Sequence, residues 1–204
     1  MAVLAFDTTS DICSVACLHN DKVTQAVKAT VSGRGGSPAD STSAVLIPMM
    51  QTCLQEHGIN FTDVDTLMLP RGPGSFTGIR IGFSVMHGLS IAHGYRIIAP
   101  TVFDIWANAY CDKQILILLD NKQGRFYAAE ASQGKVNCQT TKIMSHTEVA
   151  AAAYKYDLVL ANKEVVGATV PTFAMASQLL SMTFIQATDS IQPYYLHDPV
   201  FKKL

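Results

Sequence analysis

Apolar residues dominate positions 2–6, a polar turn follows at 7–11, and two further runs rich in β-branched residues lie at 12–18 and 22–31. Runs this short, separated by Asp, Thr, Ser and Asn, predict a three-stranded meander. A Gly/Ser/Pro-rich break occupies 32–41. Beyond it the apolar positions recur at helical spacing to about residue 56, a short buried strand is expected at 66–69, and a long helix at 75–92. From there strands and helices alternate, so the fold class is α/β.

The opening pattern recurs. Val3-Leu4-Ala5-Phe6-Asp7 is answered by Leu116-Ile117-Leu118-Leu119-Asp120, each an apolar run closed by a carboxylate. The same spacing of 113 carries Ser14-Val15-Ala16 onto Tyr127-Ala128-Ala129 and Lys22-Val23 onto Lys135-Val136. A period this long implies a duplicated domain and not a solenoid. Two copies of a strand meander followed by helices are the plan of the actin/Hsp70/sugar-kinase superfamily, in which each half is a ribonuclease-H-like mixed sheet flanked by helices. The expected domains are 1–100 and a smaller 101–204, the second with a strand near 157–160 and a helix near 172–182.

Both early helices are too greasy for one buried side. On the helix at 75–92, Gly78, Ile79, Ile81, Gly82, Phe83, Val85, Met86, Leu89 and Ala92 fill roughly 200° of the wheel, where a single buried face needs about 100°. Arg80, Ser84 and His87 share the remaining side. Each glycine inside a helix costs about 1 kcal/mol relative to alanine, so Gly78 and Gly82 require compensation, and close approach of another helix backbone is expected to supply it. On the helix at 41–56, Val45, Leu46, Met49, Met50, Cys53 and Leu54 cover half the wheel, and Pro48 is expected to kink the helix or shift its start. A second contact surface is implied, to which adaptable methionines suit.

Composition limits the chemistry. With 49% hydrophobic residues, 15% charged residues and a net charge of -1, the chain lacks the basic face of a protein that grips nucleic acid unaided. Its five cysteines form no Cys-x-x-Cys pair, and its six histidines form no metalloprotease motif, so no metal site is expected. The start MAVLAFD reads as neither leader nor anchor, and no apolar stretch approaches the ~18 residues of a membrane span, which favours a cytoplasmic protein. Arg71-Gly72-Pro73-Gly74-Ser75-Phe76-Thr77-Gly78 reads as a strand-turn-helix junction, with Pro73-Gly74 in a tight turn that needs a positive φ and Ser75 as helix cap. Its glycine spacing matches neither the dinucleotide nor the P-loop pattern. Asp7, Thr8 and Asp120 are candidate nucleotide-binding residues, because paired carboxylates at strand ends hold magnesium and phosphate in ATPases of this superfamily. The turn after Asp7 has no glycine to wrap a triphosphate.

Three segments, LAFDTTSDICSVACL, RGPGSFTGIRIG and PYYLHDPVFKK, together resemble the TsaB family, formerly called YeaZ. The resemblance implies the duplicated fold without catalytic residues, in a subunit that pairs with TsaD, the enzyme of tRNA adenosine threonylcarbamoylation, and with the ATPase TsaE. It implies that the helices at 41–56 and 75–92 form a bundle with their counterparts in TsaD. Leu46, Met49, Met50, Cys53, Gly74, Gly78, Gly82, Val85, Met86 and Leu89 are then the candidate docking residues. No cofactor is expected on this chain alone, with ATP or ADP at the interface of the complex. tRNA is reached only indirectly, and a homodimer is expected in the absence of TsaD. TsaD-like members carry two metal-binding histidines on the first helix, and this chain has none there. Many TsaB proteins lead into that helix with His-Ser or His-Thr, where this sequence reads Ser41-Thr42-Ser43 after a Gly-Gly-Ser-Pro loop. The alternative function is an ATPase built on Asp7 and Asp120.

Overall fold

The computed structural model describes residues 1–30, 37–121, 123–165, 167–170, 175–182 and 191–195. In chain order the first elements are β1 (Ala2–Asp7), β2 (Ile12–His19), β3 (Lys22–Ala29), α1 (Thr42–Gln55), β4 (Val64–Met68), α2 (Phe76–His93), β5 (Arg96–Ile98) and α3 (Val102–Ala109). There follow β6 (Ile115–Asp120), β7 (Phe126–Ser132), β8 (Lys135–Met144), α4 (His146–Ala152), β9 (Leu158–Ala161) and α5 (Met175–Leu180). Residues 32–36 of the Gly/Ser/Pro-rich break, 172–174 ahead of α5, and the part of the PYYLHDPVFKK motif from Leu196 onward lie outside the described residues.

β1 is apolar on both faces and buried throughout, a pattern that is stable only in a sheet covered on both sides. It is the central strand of a five-stranded sheet ordered β3-β2-β1-β4-β5, antiparallel to β2 and parallel to β4. Leu4 and Phe6, with Val15 and Cys17 of β2, face one side, where Val45, Leu46, Met50, Cys53 and Leu54 of α1 and Ile79, Phe83 and Met86 of α2 complete the core. Ser14 points to the other side, and there its Oγ accepts the Ala176 N–H of α5 at 3.2 Å. The expected second domain is therefore corrected: the chain divides into Met1–Pro100 with Phe173–Pro193, and Thr101–Thr172 with Tyr194–Leu204. A helix late in the sequence returns to cover the open face of the first sheet.

The second sheet runs β8-β7-β6-β9, with β6 antiparallel to β7 and parallel to β9, the winding of the first sheet less its fifth strand. This is the duplicated ribonuclease-H-like fold. Both meanders close their β2–β3 type hairpin with two residues at positive φ, Asn20 and Asp21 in the first and Gln133 and Gly134 in the second, the twist that two-residue hairpins favour. One landmark of the repeat moves. Ser14 pairs with Asp7, whereas Phe126, not Tyr127, pairs with Asp120, because the turn after Asp120 is one residue shorter.

α1 runs unbroken through Pro48, with Ser41 as its N-cap residue. Pro48 has no N–H to give the Ala44 carbonyl, and the burial of Val45, Leu46, Met50, Cys53 and Leu54 on the first sheet holds α1 together on either side of that missing bond. Among the described residues no helix is long and apolar enough to cross a membrane.

Candidate functional site

The junction after β4 is built by backbone demand. Leu69 and Arg71 donate their N–H groups to the carbonyls of Ile98 (3.1 Å) and Pro100 (2.9 Å), which extends the pairing with β5 and leaves a sharp reversal before α2. The left-handed residue of that reversal is Gly72, at φ 109, and not Gly74 as the Pro-Gly pair suggested. Ser75 caps α2 by accepting the Gly78 N–H at 3.2 Å.

α2 starts directly against the β1–β2 loop. Ser75 N–H donates to the Thr9 carbonyl at 2.6 Å, and the Thr8 hydroxyl donates to the Gly78 carbonyl at 2.8 Å. A Cβ on Gly74 or Gly78 would strike the Thr9 or Thr8 backbone carbonyl, and one on Gly82 would lie 2.7 Å from Thr8 Oγ1 and 3.4 Å from the Phe6 ring. Gly74, Gly78 and Gly82 thus form the small-residue stripe expected from the sequence, but it is filled by this chain's own loop. The small size of Gly78 and Gly82 serves the isolated fold, while Gly74 is packed by the same loop on one side and exposed on the other. Gly88 differs, since an added Cβ there meets nothing within 4 Å. Gly88→Ala is expected to stabilise the isolated chain by about 0.5–1 kcal/mol, the helix-propensity difference, which urea unfolding measures directly.

The other candidates divide. Leu46, Met50, Cys53 and Met86 are buried at 2% exposure or less against the first sheet, so they are core and their assignment to docking is corrected. Val85, Leu89 and Met49 are only partly buried, as are Ile81 and Ile47, and Ile91 near the end of α2 is 88% exposed. Ile81, Val85 and Leu89 stand four residues apart and form one stripe along α2. Beside it, Ser43 of α1 and Phe76, Thr77, Arg80 and Ser84 of α2 join Ile81 and Val85 around a groove of about 410 Å³. On the helical wheel Arg80 and Ser84 fall on the polar side, which hides this groove from the apolar periodicity. The signal was present: Phe76, Arg80 and Ser84 follow at i, i+4 and i+8.

The candidate nucleotide residues are engaged internally. Asp7 is 2% exposed, and its Oδ1 accepts the Thr9 N–H at 2.8 Å and the Thr9 hydroxyl at 2.7 Å. Burial nevertheless pushes its carboxyl up to about 6, with the Thr9 hydrogen bonds opposing that rise. Thr8 is buried with its hydroxyl on Gly78. In the second unit Asp120 pairs with Lys163 Nζ at 3.0 Å, and its N–H donates to Asn162 Oδ1 at 2.8 Å. Burial also pushes the Cys13 thiol to about 12 and that of Cys17 to about 11, which leaves both protonated and unreactive at neutral pH. Among the described residues no group of three or more His, Cys, Asp and Glu side chains could hold a metal ion.

Comparison with known proteins places this geometry. The family model described as TsaD, tRNA N6-adenosine threonylcarbamoyltransferase, matches residues 36–188. The tRNA threonylcarbamoyladenosine biosynthesis protein TsaB of Escherichia coli (strain K12) is 34% identical over 134 residues, 64% of this chain and 54% of that protein. Its namesake in Haemophilus influenzae is 25% identical over 156 residues, 73% of this chain and 61% of that protein. The match thus spans little more than half the length of these relatives. Two solved structures from Pseudomonas aeruginosa, one named YeaZ and one described as similar to peptidase YEAZ, share the fold at TM-scores of 0.71 and 0.73, each at 23% identity and covering 96% of this chain and 99% of theirs.

Proposed function

This chain belongs to the TsaB/YeaZ family, within the wider TsaD family whose model it matches, and from that premise we propose that it serves tRNA threonylcarbamoyladenosine biosynthesis as a non-catalytic subunit that docks and supports TsaD. The observation that carries this reading is the stripe of Ile81, Val85 and Leu89 on α2, with Ile47 and Met49 of α1, left partly exposed when both helices already contribute to the core. A helix that keeps a second apolar stripe after packing on its own sheet has surface to give to another chain. TsaD supplies the transfer chemistry, TsaE joins the pair, and tRNA is met through them, in keeping with a net charge of -1. In the absence of TsaD the same stripe pairs with a second copy of this chain.

Val85→Glu tests this. It puts a charge in the middle of the stripe and is expected to weaken binding to TsaD tenfold or more, in the range of a central interface residue, with the thermal melt of the isolated chain nearly unchanged. An in vitro tRNA modification assay should lose activity in parallel. Should Val85→Glu and Ile81→Glu both bind TsaD with wild-type affinity, docking through α2 is wrong.

A further inference from the structure

An apolar docking stripe has no need of a cation, yet Arg80 stands at its border. In the groove beside α2, Phe76, Ile81 and Val85 are the apolar walls, Ser43, Thr77 and Ser84 bring hydroxyls, and Arg80 is the single charge among the lining residues. The Arg80 guanidinium carbon lies 3.9 Å from the centroid of the Phe76 ring, one turn back on the same helix. That stacking restrains a long side chain before any ligand arrives and leaves the edge of its planar fork free to donate. Arg80 is exposed, and no ion pair among the described residues engages it.

Resting on the docking reading above, we infer that this groove receives one carboxylate, an Asp or Glu set among apolar residues on the partner's helix, with Arg80 as its bidentate donor and the neighbouring hydroxyls as secondary donors. Charge complementarity selects this occupant. A single guanidinium between apolar walls suits one acidic side chain on an otherwise apolar helix, and planar carboxylates match the guanidinium fork. A nucleic-acid backbone calls for several cations in a row, and the groove lining has no second one. The pair would fix the register of the two helices, a role that apolar contacts alone leave loosely specified.

The test compares Arg80→Met, which keeps length and apolar stem, with Arg80→Lys, which keeps the charge but not the fork. Binding to purified TsaD is titrated at low and high salt, and thermal melts confirm that both variants remain folded. Arg80→Met is expected to weaken binding roughly tenfold or more, the range for losing a charge-assisted hydrogen bond, and to flatten the salt dependence. Arg80→Lys is expected to fall between it and wild type. If Arg80→Met binds TsaD within twofold of wild type while Val85→Glu does not, docking stands and the carboxylate is overturned. If neither variant changes binding, the docking reading itself falls. If Arg80→Met keeps TsaD affinity but loses retention of tRNA by the assembled complex, the groove serves nucleic acid and the inference is overturned in that direction.

Discussion

Gly78→Ala is expected to destabilise the isolated chain by about 3 kcal/mol, the upper part of the range for overpacking a close contact. The methyl group would enter the space of the Thr8 carbonyl, a backbone atom held from both ends. Thr8 follows directly on β1, its hydroxyl is bound to the Gly78 carbonyl, and the Thr9 carbonyl is bound to Ser75. α2 can relieve the clash only by lifting off the loop, which also draws Ile79 and Phe83 out of the core. The gain of about 1 kcal/mol in helix propensity is too small to offset this. Urea unfolding of Gly78→Ala beside Gly88→Ala makes the comparison on one helix: the first midpoint should fall and the second rise. A midpoint for Gly78→Ala equal to wild type would show that the loop yields freely. Were Gly78 and Gly82 docking residues alone, bulky substitutions there would break a complex and spare the fold; their contacts with Thr8 imply instead that the fold itself suffers. These glycines are therefore unsuitable probes of docking, whereas Val85 and Arg80 are suitable ones.

Asp7→Asn is expected to change how stability depends on pH. A carboxyl raised from 3.8 to about 6 in the folded chain holds its proton more tightly folded than unfolded. Its contribution is most favourable below pH 3.8, declines as pH rises through the interval up to about 6, and is constant above it. The penalty at neutral pH is on the order of 3 kcal/mol. Asparagine keeps an oxygen for the Thr9 N–H and hydroxyl and carries no charge, so it escapes this decline. The difference in unfolding free energy between Asp7→Asn and wild type should therefore grow by about 2–3 kcal/mol in favour of the variant from pH 4 to pH 8. Denaturant titrations at pH 4, 6 and 8 measure it. A difference constant across that range would mean that Asp7 titrates as an exposed carboxyl does.

Strands and helices were legible where short-range pattern decides. β1 and β6 are apolar runs closed by a carboxylate, and the period of the repeat holds at both ends of the meander, at Asp7 with Asp120 and at Lys22 with Lys135. The middle landmark slipped by one because turn length after Asp120 is a local matter that an offset does not encode. The width of the apolar arc on α2 was also legible, but not its division. Periodicity says how many faces are greasy; it cannot say that Gly78 and Gly82 turn to Thr8 while Val85 and Leu89 do not. That partition depends on where the β1–β2 loop lies, a contact 70 residues away along the chain. Arg80 falls on the polar side of the wheel, and its place in a groove shared with Ser43 of α1 is a tertiary fact that periodicity does not carry.

The return of α5 to the first sheet also has a consequence during synthesis. The surface around Ser14 is complete only when Ala176 arrives, a separation of 162 residues. At ribosomal elongation rates the nascent N-terminal half waits on the order of ten seconds with that side bare. Chaperones that survey emerging polypeptides have their opportunity in this interval, and cells that slow translation between codons 20 and 175 should lengthen it and raise the yield of aggregated chain.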